Sequence, residues 1–290
     1  QGVGRINPDG SRGACTACHT RHRFDIEEAR RPETCSQCHL EPDVPAYNVY
    51  RESKHGNRHF AIGTRTDRFT PVPWMVGRDF QVPTCATCHN SLLVRPDGEV
   101  VVERNHDFGS RIWVRIFGLP YSHPHPLHGD TTKIRNAEGL PLPTTLGGQP
   151  AAEFLISPQE QARRREKMEM VCRTCHSSSW THHFFQAFEH TVRETDEMVG
   201  AATQLLQQAW QEGLADPSHP FDEDLEFRWV QQWLFYANST RYAAAMSGPD
   251  YATFKLGWWE LNRNLKEMET FLRVQRALRA APRLRQRRER

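Results

Sequence analysis

Every cysteine of this 290-residue chain falls in a Cys-x-x-Cys-His pentapeptide. Four copies account for all eight: Cys15-Thr-Ala-Cys18-His19, Cys35-Ser-Gln-Cys38-His39, Cys85-Ala-Thr-Cys88-His89 and Cys172-Arg-Thr-Cys175-His176. The spacing is that of c-type haem attachment, in which two thiols form thioethers to the porphyrin and the histidine supplies an axial nitrogen to iron. Zinc ribbons and disulfide frameworks also use paired cysteines. Neither needs a histidine after every second cysteine, so four covalently bound haem c groups are expected.

That chemistry constrains the rest. Attachment of this kind takes place outside the cytoplasm, so a periplasmic or extracellular location is expected. Gln1 has the form of a mature end left by signal removal, and no run reaches the length of a membrane span. The length allows one or two domains. Only 38% of the residues are hydrophobic, so the porphyrins are expected to act as core around which the chain wraps. A net charge of +2 says little about partners. The segment Arg273 to Arg290 holds eight arginines. Such a run suits an acidic redox partner or anionic lipid headgroups, and equally a solvated helix end; nucleic acid is not expected.

Two regions differ in texture, and together they predict a mainly α protein. Residues 1–156 carry three pentapeptides, frequent proline and glycine, and little apolar periodicity. Turns are expected at Pro8-Asp9-Gly10 and Pro96-Asp97-Gly98, the second inside a hairpin joining 92–94 to 100–102. Twenty residues separate the first two pentapeptides, room for about one helix, so those haems should be neighbours. Residues 157–290 read as long antiparallel helices. Ser157-Pro158-Gln159-Glu160 has the form of a capping box, opening a helix that delivers the fourth pentapeptide. Apolar or small residues then recur at 185, 188, 192, 195, 199, 202, 206 and 209. A second series runs Leu225, Trp229, Trp233, Tyr236, Thr240, Ala243, and a third runs Tyr251, Phe254, Trp258, Leu261, Leu265, Met268, Leu272. Gly213, Pro217, Pro220, Gly248-Pro249 and Pro282 punctuate them. A last helix from Asp250 to Ala281 would reach about 45 Å, long enough to contact another subunit.

Fifteen histidines less the four in the pentapeptides leave eleven, and a closed iron takes a second histidine. His22, three residues past His19, is expected to serve a neighbouring haem. His55, in Ser53-Lys-His-Gly56, has a glycine beside it that would let backbone crowd a porphyrin. His106 lies in Asn105-His-Asp107. The loop His123-Pro-His125-Pro-Leu-His128 is expected to supply one ligand, best His125, which prolines stiffen on both sides. His59, His190 and His219 read as surface or packing residues, while His182 and His183 follow the last pentapeptide on a helix, where one can face a haem propionate and either can ligate. Arg21, Arg23 and Arg173 are placed to pair with propionates, or to lie in solvent.

These residues resemble a known family. Gly4 to Gly10, Cys15 to Arg30 and Pro32 to Cys35, then Ser53-Lys-His-Gly56, Asn105-His-Asp107, Val171 to Trp180 and Gly248 to Leu261 look like the hydroxylamine oxidoreductase family of multihaem cytochromes c. The pentahaem nitrite reductases are similar at a greater distance. The resemblance is to the later-haem, carboxy-terminal half, which implies a packed relay of histidine-ligated haems and a helical bundle that supports oligomers or complexes with other multihaem subunits. It does not carry over the catalytic haem of the amino-terminal half. Tyr242 and Tyr251 lie where oxidising members place a cross-linking tyrosine, and here read as seam aromatics. The expected role is electron transfer to and from redox partner proteins. The alternative is a subunit, or a reduced form, of an enzyme acting on small nitrogen compounds.

Overall fold

The computed structural model describes residues 8, 13–20, 22–219, 221–248 and 253–281. The Pro8-Asp9-Gly10 turn, Arg21, Tyr251 and the arginine run beyond Ala281 lie outside the described residues, apart from Pro8.

The chain is mainly α, with short helices around the first three pentapeptides and long ones after the third. Between the first two pentapeptides stand not one helix but two, α1 (Ile26–Arg30) and α2 (Pro32–Cys35). Asp25 caps α1 by accepting from the Glu27 amide, and Pro32 begins α2. Then come α3 (Ala46–Glu52), α4 (Lys54–Arg58), a π-helical turn at His59–Gly63 and α5 (Thr64–Thr66). The third pentapeptide is itself a helix, α6 (Cys85–His89). The expected hairpin forms: β2 (Leu93–Val94) pairs antiparallel with β3 (Val100–Val102), and Gly98 at φ +89° makes the turn. A strand that periodicity did not announce, β1 (Trp74–Met75), pairs parallel to β2.

The long helices follow the apolar stripes closely. Ser157 caps α7 (Pro158–Cys172) by accepting from the Glu160 amide. The reciprocal half of the expected capping box is replaced: the Glu160 carboxylate pairs with Arg163 and Arg164. All eight stripe positions between 185 and 209 are buried in α8 (Ser178–Gln211). That helix ends at Gly213, whose φ of +64° suits glycine.

The later stripes depart from a straight helix. Between α9 (Asp224–Val230) and α10 (Asn238–Ser247) lies a π-helical segment, Gln231–Ala237. A π-turn inserts an extra residue and rotates the buried face. Gln232 is therefore turned inside, donating to the Leu261 carbonyl, while Trp229, Trp233 and Tyr236 are only half-buried. A second π segment, Phe254–Trp258, precedes α11 (Trp259–Ala280). It turns Phe254 outward and Gly257 inward, where an added Cβ would stand 2.6 Å from the Thr240 amide. Phe254 is thus not a seam residue.

The buried clusters join both textures of the chain. Phe69, Trp74, Phe80, Leu93 and Val102 pack with Val171 of α7, and Tyr121 packs with Val199, Ala237 and Leu261. Arg241 is fully buried and holds the loop 116–121 to the helices: it donates to Asp196, to the Asn238 side chain and to the Ile116 and Pro120 carbonyls. None of the described helices is long and apolar enough to cross a membrane.

Candidate haem-attachment row

The four pentapeptides are held by different local devices. Thr84 caps α6 in a reciprocal box with Thr87, and its hydroxyl donates 2.7 Å to the Arg30 carbonyl. The two intervening residues, Ala86 and Thr87, are buried, so Cys85, Cys88 and His89 share the opposite side of the turn. α7 delivers Cys172 as its last residue. Ser177 then caps α8, so His176 sits at the junction of two helices.

None of the eight cysteines pairs in a disulfide, and their neighbours place the motifs in sequence order. Cys18 of the first motif feels Cys35 and Cys38 of the second, which with burial raise its pKa. Cys35 and Cys85 act on each other, which lowers the Cys35 pKa and raises that of Cys85 and joins the second motif to the third. Burial pushes Cys88 up to about 11, with Cys175 of the fourth motif adding to it; Cys172 in turn feels Cys88. The motifs therefore form a row, first to fourth.

The histidine geometry tests whether the residues fit haem c. Neutral imidazole is the metal-binding form, and it needs one ring nitrogen free while the other is oriented by a hydrogen bond. His19 Nδ1 lies 3.0 Å from the Asp25 carbonyl, and Phe24 stacks on its ring at 4.9 Å. Burial, with His39 and Arg111 adding, pushes His89 down to about 4, against the opposing pull of the Phe108 backbone. His176 stacks on Trp180 at 3.8 Å. Opposite it stands His55, with ring centroids 6.0 Å apart and planes at 48°. Two imidazoles on one iron, with metal–nitrogen bonds of about 2 Å and ring radii of about 1.1 Å, stand about 6 Å apart. Burial and the neighbouring His176 both lower the His55 pKa. The residues fit the group.

Gly56 positions His55, though not as the motif suggested. Its close approach is to the Tyr50 carbonyl of α3, which an added Cβ would strike. Ser53 fastens the same corner, accepting from the Gly56 amide at 3.0 Å and donating to the Tyr50 carbonyl at 2.7 Å. Gly56→Ala is therefore expected to destabilise the protein by about 1–3 kcal/mol and to shift His55. Urea unfolding at matched haem content measures the first effect. An unchanged midpoint would show that α3 and α4 separate freely.

The other expected ligands are placed less decisively. His22 and His106 are exposed, with no ring contact to a second histidine among the described residues. His125 is half-buried, its Nδ1 2.9 Å from the Pro126 carbonyl, and its ring abuts Gly109, where a Cβ would stand 2.7 Å from Nε2. His123 was not singled out from its loop, yet it is the buried one. Its Nδ1 is 2.7 Å from the Pro124 carbonyl and its Nε2 is buried without a partner. In both, the carbonyl of the following proline orients the ring. His59 is a packing residue, enclosed by Tyr50, Phe60 and Phe69. His182, His183, His190 and His219 are exposed, and His190 pairs with Glu194 at 3.3 Å.

Arg23 pairs with Asp25, and Arg173 pairs with Glu169. Burial raises the Tyr242 pKa to about 12, and Arg115 and Asp43 lie near it. Sequence reasoning passed over Arg111, Phe24 and Trp180. Only Trp180, one helical turn past His176, carried a positional signal.

Residues 9–102 match the family described as seven times multi-haem cytochrome CxxCH. That stretch holds the first three pentapeptides, so over it the chain is similar to a multihaem cytochrome family. The chain is 27% identical over 214 residues to the probable nitrite reductase-hydroxylamine oxidoreductase fusion protein of Kuenenia stuttgartiensis, a match covering 70% of this chain and 23% of that protein. Among solved structures it is similar to a hypothetical multiheme protein, with TM-score 0.87 and 44% identity over 97% of this chain and 62% of that one. It also shares the fold of the reducing hydroxylamine oxidoreductase-like protein complex of Kuenenia stuttgartiensis, with TM-score 0.74 and 18% identity over 94% of this chain and 61% of that one. The expected resemblance to the hydroxylamine oxidoreductase family holds. The chain spans under a quarter of the curated relative and about three-fifths of each structural neighbour.

Proposed function

We propose that the chain is a c-type cytochrome that carries four haems and passes electrons along them, outside the cytoplasm, between redox partner proteins. The observation that supports this reading is the row of attachment motifs, each near enough to perturb the thiols of the next. Bound haem supplies reversible one-electron chemistry. The chain's own residues would set the spacing through paired cysteines and orient the His19 imidazole through the Asp25 carbonyl. His55 would close the fourth position opposite His176. His22, His106 and the His123–His125 loop are the candidates for the other three. A structural neighbour is a complex of hydroxylamine oxidoreductase-like subunits, which supports association with further multihaem chains.

The mass of the denatured protein is expected to exceed that of the polypeptide by four haems, with no titratable thiol. Three haems, or a reactive thiol, would remove one motif from the row. The loaded protein should exchange electrons rapidly with small redox dyes. With every iron closed, it should turn over hydroxylamine or nitrite no faster than free haem. Turnover well above that background, abolished by a single histidine change, would instead support the enzymatic reading that the fusion relative's name suggests.

A further inference from the structure

Arg111 is a buried cation fastened to the third attachment motif by carbonyls alone. The residue is 2% exposed. One guanidinium nitrogen donates to the carbonyls of Thr87 at 3.3 Å and Cys88 at 3.2 Å, both inside the pentapeptide. The other donates to Ser91 at 2.8 Å and to Glu103. Carbonyl dipoles satisfy these donors without cancelling a unit charge, and arginine keeps its proton in proteins. Three other arginines near the motifs or in the core are compensated: Arg23 by Asp25, Arg173 by Glu169 and Arg241 by Asp196. Arg111 makes no ion pair among the described residues.

We propose that Arg111 raises the reduction potential of the haem carried by Cys85 and Cys88. This inference rests on the four-haem reading. Reduction there adds one electron and neither makes nor breaks a bond, so the ferric form carries one more positive charge than the ferrous form. A fixed cation hydrogen-bonded to the carbonyl of Cys88, the residue before His89, disfavours the ferric form, and the interaction scales inversely with distance and local dielectric. Burial removes most of the salt screening that would weaken it at a surface. An electron entering the row is therefore held more strongly at the third position than its ligands alone would hold it.

The test is a spectroscopic redox titration of the haem-loaded protein, after mass spectrometry has counted the haems. In Arg111→Gln, one of the four one-electron steps should shift at least tenfold toward the oxidised form, equivalent to 59 mV, with the others nearly unmoved. Arg111→Lys, which keeps the charge, should retain most of the original value. Ser91→Asp keeps the guanidinium and sets a carboxylate beside it, so it should lower the same step if the glutamine variant does not load. Four haems with no step moved in Arg111→Gln or Ser91→Asp would overturn the proposal and leave the row intact. Equal shifts in Arg111→Gln and Arg111→Lys would also overturn it, by tracing the effect to packing. Fewer than four haems in the parent would defeat the four-haem reading instead.

Discussion

Replacing His55 by alanine is expected to leave all four haems attached and to convert one iron in four from low to high spin. The attachment cysteines are untouched, so the mass should drop only by the side chain. The ring that faces His176 at 6.0 Å is lost, and the iron it closed becomes able to bind carbon monoxide, which the parent should not. The effect is large because it is a change of coordination number at one site. His182→Ala serves as the control, since its exposed ring leaves every coordination shell as it was. An unaltered spectrum in His55→Ala would mean that the 6.0 Å facing is packing. Search for the fourth ligand would then move to the buried, unpartnered Nε2 of His123.

Arg241→Met should produce the largest loss of stability of any single substitution away from the haems. The guanidinium is fully buried and joins four partners from the loop 116–121, α8 and α10. Removing it leaves Asp196 facing Ser122 with no cation, and breaking such a pair typically costs about 3–5 kcal/mol. The loss should be read as a lowered urea midpoint of the helical signal at matched haem content, because haem loss would break two-state behaviour. Asp196→Asn in the same background should recover part of it, since the uncompensated charge is then gone. A midpoint within error of the parent would show that water satisfies Asp196.

Much of the site was legible because covalent chemistry leaves a local signature. A thioether needs cysteine and an axial bond needs histidine at fixed spacing, so Cys15 to His176 could be read residue by residue without a fold. The α8 stripe was legible for a similar reason: burial on one helix face imposes its 3.6-residue period on the order of residues. The seams after Leu225 were less so. The π segments at Gln231–Ala237 and Phe254–Trp258 rotate the face by an inserted residue, and no composition marks where that happens.

The sequence by itself determined how many attachment motifs the chain carries, which sulfur atoms the proposed thioethers would use and which imidazole each motif offers to an iron. Those choices are made within five residues and need no partner. Only the tertiary structure decided the order of the row, the facing of His55 and His176 across 121 positions of chain, and the isolation of Arg111 among carbonyls. A distal ligand can come from any of eleven remaining histidines, because what selects it is a distance of a few ångströms in space. Sequence separation carries no record of that distance. The charge beside the third motif is likewise set by what does not surround it, and the absence of a carboxylate becomes visible only once the chain is packed.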